Sequence, residues 1–317
     1  MKNLDYNTQI VIPGGAGLVG QNLVVKLLNL GFKNITVLDK HKDNLKILSQ
    51  MHPQVSVQCV DLSTSGTWLD HISSSDVVIM LQAQIGGLDE NAFIRNNIDS
   101  TQLILDEIKR AKKQIQTVHV SSSVVNSIAN DWYTETKSRQ EELVKNSGIE
   151  VTILRPTLMF GFFDRKHIGW LATFMKQLPI FPIPGHGRYL RQPLYVGDFC
   201  EIIISVLQKS GPSGCFDITG QEKIDYIDLI KILKKATNSS TIILKIPFTL
   251  FSLLLKIWSF FDKNPPFTES QLQALVAGDI FQSSNWTEIF EVQSTDLQDA
   301  LVETFTHPRY SKIQMKF

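Results

Sequence analysis

Three glycines spaced three residues apart constrain this chain more than any other feature. Gly14, Gly17 and Gly20 follow a β-branched run at residues 10–12 and open a helical pattern near Leu18. In such a turn the first glycine allows the sharp bend, the second lets a pyrophosphate approach the backbone, and the third lets the helix pack on the strand. The amides at the start of the helix then face the phosphates. The spacing alone has little specificity, and a tight turn in a globular core is the alternative.

An acid at the end of the next β-branched run strengthens the dinucleotide interpretation. Asp39 lies about 20 residues beyond the glycines, where a carboxylate accepts hydrogen bonds from an adenosine ribose. This arrangement favours NAD, while the following Lys40, His41 and Lys42 leave NADP open because a cation there would meet a 2′-phosphate. The cofactor contacts predicted at this turn are Gly14, Gly17, Leu18, Val19, Gly20, Asp39 and Lys40.

Strand and helix patterns alternate through the first half of the chain. Short β-branched runs lie at 9–12, 34–39, 55–61, 76–81, 117–123 and 150–156, with helical patterns such as 21–30, 43–52 and 97–112 between them. This alternation predicts an α/β protein with a doubly wound parallel sheet. We place the dinucleotide-binding domain at 1–165, rejoined by strand returns near 190–220, and a smaller, mostly helical substrate region at 166–317.

Composition narrows the classes of partner. Lys and Arg total 31 and Asp and Glu total 31, so no net field attracts nucleic acid, and no such partner is expected. The three cysteines are widely spaced in apolar surroundings, which is typical of buried thiols in a reducing compartment. The first strand follows the N-terminus without room for a signal peptide, so a cytoplasmic location is expected. His119 lies inside a strand pattern and is interpreted as a core histidine, and no metal site is predicted.

One stretch, 246–261, is hydrophobic almost all round. It is shorter than the roughly 20 residues of a membrane-spanning helix and is interrupted by Pro247 and Lys256. We expect a buried or dimer-facing helix, and weak docking on a membrane surface is the alternative.

Tyr133 and Lys137 are four residues apart at the start of a helical pattern and project from one face. A phenol has an ordinary pKa near 10, and a neighbouring ammonium would lower it toward a useful general acid or base. Three serines at 121–123 end the preceding strand, where a hydroxyl would hold the same substrate oxygen. Together, these residues predict hydride-transfer chemistry on a carbinol or carbonyl. The alternative is that Tyr133 and Lys137 merely lie on an exposed face of a helix.

Residues from 9 to about 220 resemble the extended short-chain dehydrogenase/reductase family, the NAD-dependent epimerase/dehydratase type. Beyond the features above, the resemblance rests on the segments CVDL, VVIMLQAQIGG, NNIDST, LRPTLMFG and RQPLYVGD. It implies a Rossmann-type sheet, bound NAD and hydride transfer at a sugar hydroxyl or keto carbon, on a nucleotide-activated sugar. It also implies a homodimer that pairs through helices 97–112 and 133–147.

The resemblance assigns roles to single residues. Tyr133, Lys137 and Ser123 become the catalytic set, with Ser122 the second candidate for the serine. Further cofactor contacts are implied at Asp61, Leu62, Leu81, Ala83, Asn97, Lys137, Pro156 and Thr157. Substrate contacts are implied at Gln84, Ser123, His186 and Arg191. For His186 and Arg191 the predicted ligand is a diphosphate, and a solvated basic loop is the alternative.

Departures from the family pattern keep two other functions open. Leu158 stands where nucleotide-sugar enzymes carry an asparagine, which favours a reductase of a non-sugar carbonyl compound. The tail at 265–279 resembles the dinucleotide-binding accessory subunit of respiratory complex I, which lacks a complete catalytic set. The retained Ser123, Tyr133 and Lys137 favour an enzyme over such a subunit.

Overall fold

The computed structural model describes residues 5–87, 89–127, 131–164, 166–209, 211–261, 272, 275–276, 282–313 and 315. The strands are β1 Gln9–Pro13, β2 Asn34–Asp39, β3 Ser56–Cys59, β4 Val77–Met80, β5 Gln116–Val120, β6 Val151–Pro156, β7 Met159–Phe160, β8 Ile180–Pro184, β9 Leu190–Arg191, β10 Leu194–Tyr195, β11 Gly214–Ile218, β12 Ile224–Asp225 and β13 Ile242–Ile246. The helices are α1 Leu18–Asn29, α2 Lys42–Met51, α3 Leu69–Ser74, α4 Glu90–Phe93, α5 Ser100–Arg110, α6 Trp132–Lys145, α7 Ile168–Gln177, α8 Val196–Lys209, α9 Tyr226–Ala236, α10 Phe248–Phe261, α11 Trp286–Ile289 and α12 Leu297–Thr306.

Seven parallel strands form the central sheet in the order β11-β6-β5-β4-β1-β2-β3. The order reverses between β1 and β4, and ligands of such sheets bind outside the carboxyl ends of the strands at this point. The predicted doubly wound α/β fold is confirmed. The glycine turn, the loop after β4 and the serine segment after β5 therefore meet at one edge of the sheet.

Successive residues of each strand enter two different cores. In β1, Ile10 and Ile12 belong to the larger cluster, whereas Val11 belongs to the smaller cluster on the opposite face. This alternation follows from the two-residue period of a strand. Helices cover both faces, and each fully buried aliphatic side chain contributes about 1.5–3 kcal/mol.

The second half of the chain shares the first sheet. Strand β11 pairs with β6, and α8 packs on α1, whereas β9 and β10 form separate two-stranded sheets with β12 and β7. The predicted strand return near 190–220 is thus divided among three sheets. The boundary at 165 stays a prediction.

Two expectations of burial are wrong in part. Cys59 is exposed, because it lies at the end of the edge strand β3, while Cys200 is buried and Cys215 is partly buried. In α10, Leu253 and Ile257 are 53% and 46% exposed, so burial within the chain is wrong for this face of the helix. None of the described helices is long and apolar enough to cross a membrane.

Replacing Gly20 by Ala is expected to lower the free energy of unfolding by about 1–3 kcal/mol, as overpacking does elsewhere. A Cβ at Gly20 would lie well inside 3.0 Å of the Gly15 carbonyl oxygen, so backbone must move. The control is Gly17→Ala, because a Cβ there finds its nearest neighbour, the Gly14 oxygen, at 3.7 Å. Urea denaturation of both variants measures the difference, and equal stabilities would show that the third glycine is not required for packing.

Candidate active site

The three glycines of the turn have different surroundings. Gly14 has φ of 76°, and a Cβ there would overlap the backbone of Gln82, so this glycine permits contact with the loop after β4. Gly17 is the N-cap of α1 and has extended backbone, with no side-chain cap on the helix. The first amides of a helix have no intrahelical partner. An added Cβ at Gly17 would meet only the Gly14 carbonyl oxygen, at 3.7 Å. This uncrowded position and the free amide donors fit a phosphate group.

Asp39 joins the end of β2 to the glycine turn. Its Oδ2 accepts from the Ala16 amide at 3.0 Å and its Oδ1 from the His41 amide at 2.9 Å. Each carboxylate oxygen has a further lone pair for a ribose hydroxyl. The Lys40 ammonium donates to Asn96 Oδ1 at 2.8 Å. The predicted contacts of Asp39 and Lys40 with the cofactor stay predictions.

Asn97 holds the loop after β4 against α6. It is completely buried in a π-helical turn, Ile94–Asp99, that leads into α5. Its Oδ1 accepts from the Gln84 amide at 2.6 Å, and its Nδ2 donates to Thr136 Oγ1 at 2.9 Å. Because both polar atoms of this side chain have partners within the protein, we expect Asn97 to affect cofactor binding indirectly, by fixing the loop after β4.

The other predicted cofactor contacts lie along the same edge. Asp61 is exposed, and hydrogen bonds from the Ser63 hydroxyl and amide lower the pKa of its carboxyl. Leu62 is buried, Leu81 is half-buried and Ala83 is exposed. Gln84 accepts from Asn96 through its side-chain oxygen at 2.9 Å.

Tyr133 lies in the first turn of α6, which Asp131 caps by accepting from the Thr134 amide at 2.7 Å. The Ser122 side chain lies beside the phenol. Burial raises the pKa of Tyr133, and the interaction with Ser122 opposes the rise. The lowering expected from Lys137 is not found in the chain alone, and its presence with bound oxidised cofactor stays a prediction. The serine paired with the phenol is Ser122, which sequence reasoning ranked second to Ser123.

Lys137 is engaged by buried partners of its own. Its side chain is only 1% exposed, and its ammonium donates to the Val120 carbonyl at 3.1 Å and to Gln140 Oε1 at 2.6 Å. Burial lowers the pKa of Lys137 to about 7, with the Glu141 carboxylate opposing. The amine is thus held by the Val120 carbonyl and by Gln140.

Gln140 belongs to a buried polar layer that sequence reasoning missed. Its Nε2 donates to Thr101 Oγ1 at 2.8 Å, and Gln82 Nε2 donates to the same hydroxyl at 3.1 Å. The layer connects Lys137 to the loop after β4. The available signal was Gln82 itself, which stands in the otherwise apolar segment 77–83, because a glutamine in an apolar segment needs buried partners.

A buried ion pair, formed by Glu141 and Arg155, holds the serine segment after β5 in place. Glu141 accepts from Arg155 Nε at 3.0 Å and from Ser121 Oγ at 2.7 Å. Burial alone would raise the pKa of Glu141, but hydrogen bonds from Arg155, Lys145 and Ser121 bring it to about 2. Ser121 is thus engaged by the pair, which leaves Ser122 and Ser123 for chemistry. The place of Glu141 one turn after Lys137 could have indicated this support.

Thr157, which directly follows β6, has a buried hydroxyl that fits a polar ligand. Thr157 is 5% exposed, and its hydroxyl has no hydrogen-bond partner among the described residues. Buried hydroxyls normally have a partner. Pro156, beside it, is buried, whereas Leu158 is 44% exposed.

The predicted substrate residues of the second half lie on β9 and on the loop before it. One Nη atom of Arg191 donates to the Leu275 carbonyl. His186 is exposed, accepts from the Arg188 amide at 2.9 Å and lies against the Tyr189 ring. Their contact with a diphosphate stays a prediction. His119 is completely buried, and burial holds the pKa of its imidazole well below the usual range, as expected of a core histidine.

The variant Lys137→Met is expected to remove a pH dependence of stability. Between the folded pKa of about 7 and the ordinary value of 10.5, the unfolded chain binds a proton that the folded chain does not. The free energy of unfolding therefore rises with pH across this window, by about 1.4 kcal/mol per pKa unit of difference. Urea denaturation from pH 7 to 10 tests this, since subtracting the variant's curve removes all other groups. Parallel curves would mean that Lys137 is not held as a buried amine.

Comparisons with known proteins agree with this geometry. The family model described as the NAD dependent epimerase/dehydratase family matches residues 10–218. The chain is 23% identical over 268 residues to NADH dehydrogenase (ubiquinone) 1 alpha subcomplex subunit 9, mitochondrial, of Dictyostelium discoideum, covering 82% of this chain and 73% of that protein. It spans 64% of the corresponding Arabidopsis thaliana protein, at 24% identity.

An enzyme and a protein of solved structure resemble this chain at a similar level of sequence identity. The dTDP-glucose 4,6-dehydratase of an Actinoplanes species is 24% identical over 264 residues, with 73% of this chain and 82% of the enzyme covered. The structure of UDP-glucuronic acid 4-epimerase from Bacillus cereus in complex with NAD superposes with a TM-score of 0.72 at 21% identity, covering 95% of this chain and 98% of that chain. The predictions of the family and of an NAD-dependent enzyme class are confirmed at the level of the family. The matched region contains the glycine turn, the serine segment and α6, and the chain belongs to the NAD-dependent epimerase/dehydratase family.

Proposed function

We propose that this chain is an NAD-dependent enzyme that transfers hydride at a hydroxyl-bearing or keto carbon of a nucleotide-activated sugar. The observation that carries the proposal is the placement of Tyr133 beside Ser122 at the same sheet edge as the glycine turn. A phenol beside a hydroxyl can hold and protonate or deprotonate one substrate oxygen.

The residues present fit the cofactor. The first turn of α1 and Gly17 would hold the pyrophosphate, Asp39 the adenosine ribose, and Thr157 the nicotinamide amide. Bound NAD would supply the acceptor and donor of hydride at the reacting carbon.

The chain's own groups would move the proton. Tyr133 would take the proton from a substrate hydroxyl or return it to a carbonyl oxygen, while Ser122 and Ser123 would orient that oxygen. Lys137 would bind the nicotinamide ribose and favour the phenolate whenever its amine is protonated. Glu141, paired with Arg155, would keep the serine segment in place by accepting the hydrogen bond from Ser121.

The substrate class rests on similar proteins and on the basic loop. A structure of the Bacillus cereus epimerase contains UDP-glucuronic acid with NAD, and the Actinoplanes relative acts on a dTDP-sugar by name. Arg191 and His186 would bind the diphosphate, since guanidinium groups form charge-assisted hydrogen bonds with phosphate oxygens. The exposed Leu158 favours the runner-up, a reductase of a non-sugar carbonyl compound.

A second candidate function is that of a non-catalytic subunit. It is favoured by the likeness to the mitochondrial NADH dehydrogenase subunit over 82% of this chain. The presence of Tyr133, Lys137 and two available serines favours the enzyme instead.

Incubation with a panel of UDP- and dTDP-sugars, with mass and NMR analysis of the products, tests the proposed function. An isomerised product of unchanged mass means an epimerase, and loss of 18 mass units, one water, means a dehydratase. A two-unit gain with consumption of NADH or NADPH means a reductase. No product from any sugar or simple keto compound, with cofactor bound, would favour the subunit.

We also propose a cytoplasmic homodimer that pairs through α5 and α6. Helix α5 carries a buried apolar face and exposed polar positions, and its neighbour α6 packs beside it. Gel filtration with light scattering measures the mass, and a monomer at micromolar concentration would contradict the dimer.

A further inference from the structure

The lysine of the candidate active site is held by a side chain of its own helix. Gln140 lies three residues after Lys137 on α6, so both side chains project from the same face. The Lys137 ammonium donates to Gln140 Oε1 at 2.6 Å and to the Val120 carbonyl at 3.1 Å. Gln140 is completely buried and Lys137 almost so. A hydrogen bond at such burial is stronger than one at the surface.

A threonine on the neighbouring helix fixes the orientation of the Gln140 amide. Thr101 of α5 donates its hydroxyl hydrogen to the Asn97 carbonyl at 2.8 Å. Because a hydroxyl has one hydrogen to donate, Thr101 Oγ1 can only accept from other groups. Gln140 Nε2 donates to this oxygen at 2.8 Å, and Gln82 Nε2 donates to it at 3.1 Å. The Gln140 amide therefore presents its NH₂ group to Thr101 and its oxygen to Lys137.

The two acceptors of the Lys137 ammonium define the direction of its remaining donor. A lysine ammonium has three N–H bonds, which are arranged tetrahedrally around the nitrogen together with the bond to Cε. Gln140 Oε1 and the Val120 carbonyl take two of these donors. In the described part of the chain the ammonium has no further hydrogen-bond acceptor. The third N–H is thus fixed in direction and left for a ligand.

We propose that Gln140 is a positioning residue for Lys137: by holding one N–H of the ammonium while the Val120 carbonyl holds another, it leaves the third for the cofactor ribose. The role assigned to Gln140 rests on the proposed function, in which Lys137 binds that ribose and favours the phenolate of Tyr133. Gln140 acts through the amine and is assigned no contact with substrate or cofactor. Its amide oxygen also favours the charged form of the amine, because a hydrogen bond to the charged form stabilises it.

Few titratable groups lie near the Lys137 amine. Burial lowers the pKa of Lys137 to about 7, and the Glu141 carboxylate on the same helix opposes this lowering. His119 of β5 is completely buried, and burial and Lys137 together hold the pKa of its imidazole well below the usual range. Burial raises the pKa of Tyr133 above its ordinary value of 10. Lys137 is therefore the group beside Gln140 whose charge changes near neutral pH.

An NMR titration of the Lys137 amine in the full chain, without added cofactor, tests the proposal independently of turnover. Lysines labelled with a carbon isotope at Cε report the charge of each amine, and the Lys137 signal is the one missing from Lys137→Met. Gln140→Met removes both polar atoms and is expected to lower the pKa of Lys137 by at least about one pKa unit, the equivalent of one hydrogen bond to a charged group. Gln140→Glu places a carboxylate beside the amine and is expected to raise that pKa.

A matched control separates positioning from mere packing. Gln82→Met removes an amide from the same buried layer without a contact to Lys137, and it is expected to change the pKa of Lys137 by less than about a third of a pKa unit. Circular dichroism melting curves show that the variants are folded. A Lys137 pKa that stays the same in both Gln140 variants, or that moves equally in Gln82→Met, would overturn the proposal.

NAD binding provides the second measurement. Gln140→Met is expected to weaken NAD binding about tenfold, because the ribose loses a donor held in a fixed direction. Calorimetric titration of the wild type and the variant with NAD measures the two dissociation constants. Equal affinities would contradict the positioning role of Gln140, whereas absence of NAD binding by the wild type would contradict the proposed function itself.

Discussion

Tyr133→Phe is expected to lower kcat by about 10²–10⁴-fold, the usual contribution of a general acid or base. The substitution removes the phenol hydroxyl that lies beside Ser122, and with it the group proposed to move a proton at the substrate oxygen. A phenyl ring fills the same space, so the fold and NAD binding are expected to remain. Initial rates on the substrate found in the nucleotide-sugar panel measure the loss.

The matched control for this prediction is Tyr195→Phe. Tyr195 is 7% exposed and its hydroxyl donates to Glu303 at 3.0 Å, away from the serine segment. The control variant loses the same hydroxyl oxygen from a buried ring, and its kcat is expected to stay within about threefold of the wild type. If Tyr133→Phe retains wild-type turnover, the phenol is not the acid or base. If the protein's biological role also survives that substitution, the subunit function is favoured.

Arg155→Leu is expected to lower the free energy of unfolding by about 1–3 kcal/mol, because the buried Glu141 carboxylate loses the hydrogen bonds from the guanidinium. Glu141 has a side chain that is 4% exposed and would retain only Lys145 and Ser121. The double variant Arg155→Leu with Glu141→Leu removes both charges and is expected to recover most of the loss. Urea denaturation at pH 7 gives the three values.

The ion pair also predicts a pH dependence. The pKa of Glu141 is about 2 in the folded chain and 4.5 ordinarily, so its contribution is fully present above pH 4.5 and is lost as the pH falls toward 2. The double variant is expected to lack this acid-sensitive contribution. A single variant as stable as the wild type would mean that the pair contributes nothing.

The sheet and the edge on which the site lies were predictable from local patterns. The β-branched runs, the glycine spacing and Asp39 act over short distances in the chain, and the six predicted strands form as β1 to β6. Handedness and order then follow from general rules of parallel sheets. Helix ends differ by a few residues, as in α5, which spans Ser100–Arg110 where the pattern indicated 97–112.

The electrostatics of the site were not predictable in the same way. The tyrosine-lysine spacing indicated a charged amine near the phenol, but the pKa of Lys137 depends on its burial and on Glu141, and its ammonium is held by Gln140. Those contacts join residues whose surroundings are set by tertiary packing. The choice of Ser122 over Ser123 as partner of the phenol likewise depends on how the chain turns after β5, where Ser123 begins a 3₁₀ turn.

The exposed face of α10 was not predictable from the sequence for a different reason. A hydrophobic stretch predicts burial, yet the sequence does not tell whether the covering surface belongs to the same chain. In the structure only part of the helix packs inward, and Leu250 and Leu254 remain 44% and 49% exposed.

Native mass spectrometry of the purified protein with added NAD, beside the Gly17→Val variant, tests the central claim most directly. The glycine turn is predicted to hold one NAD for each wild-type chain. Gly17→Val is expected to remain folded, because its backbone is extended and a Cβ there meets nothing closer than 3.7 Å, and to lose NAD because the new side chain occupies the space of the pyrophosphate. Equal NAD binding by both proteins, or binding by neither, would contradict the assignment of this turn as the cofactor site.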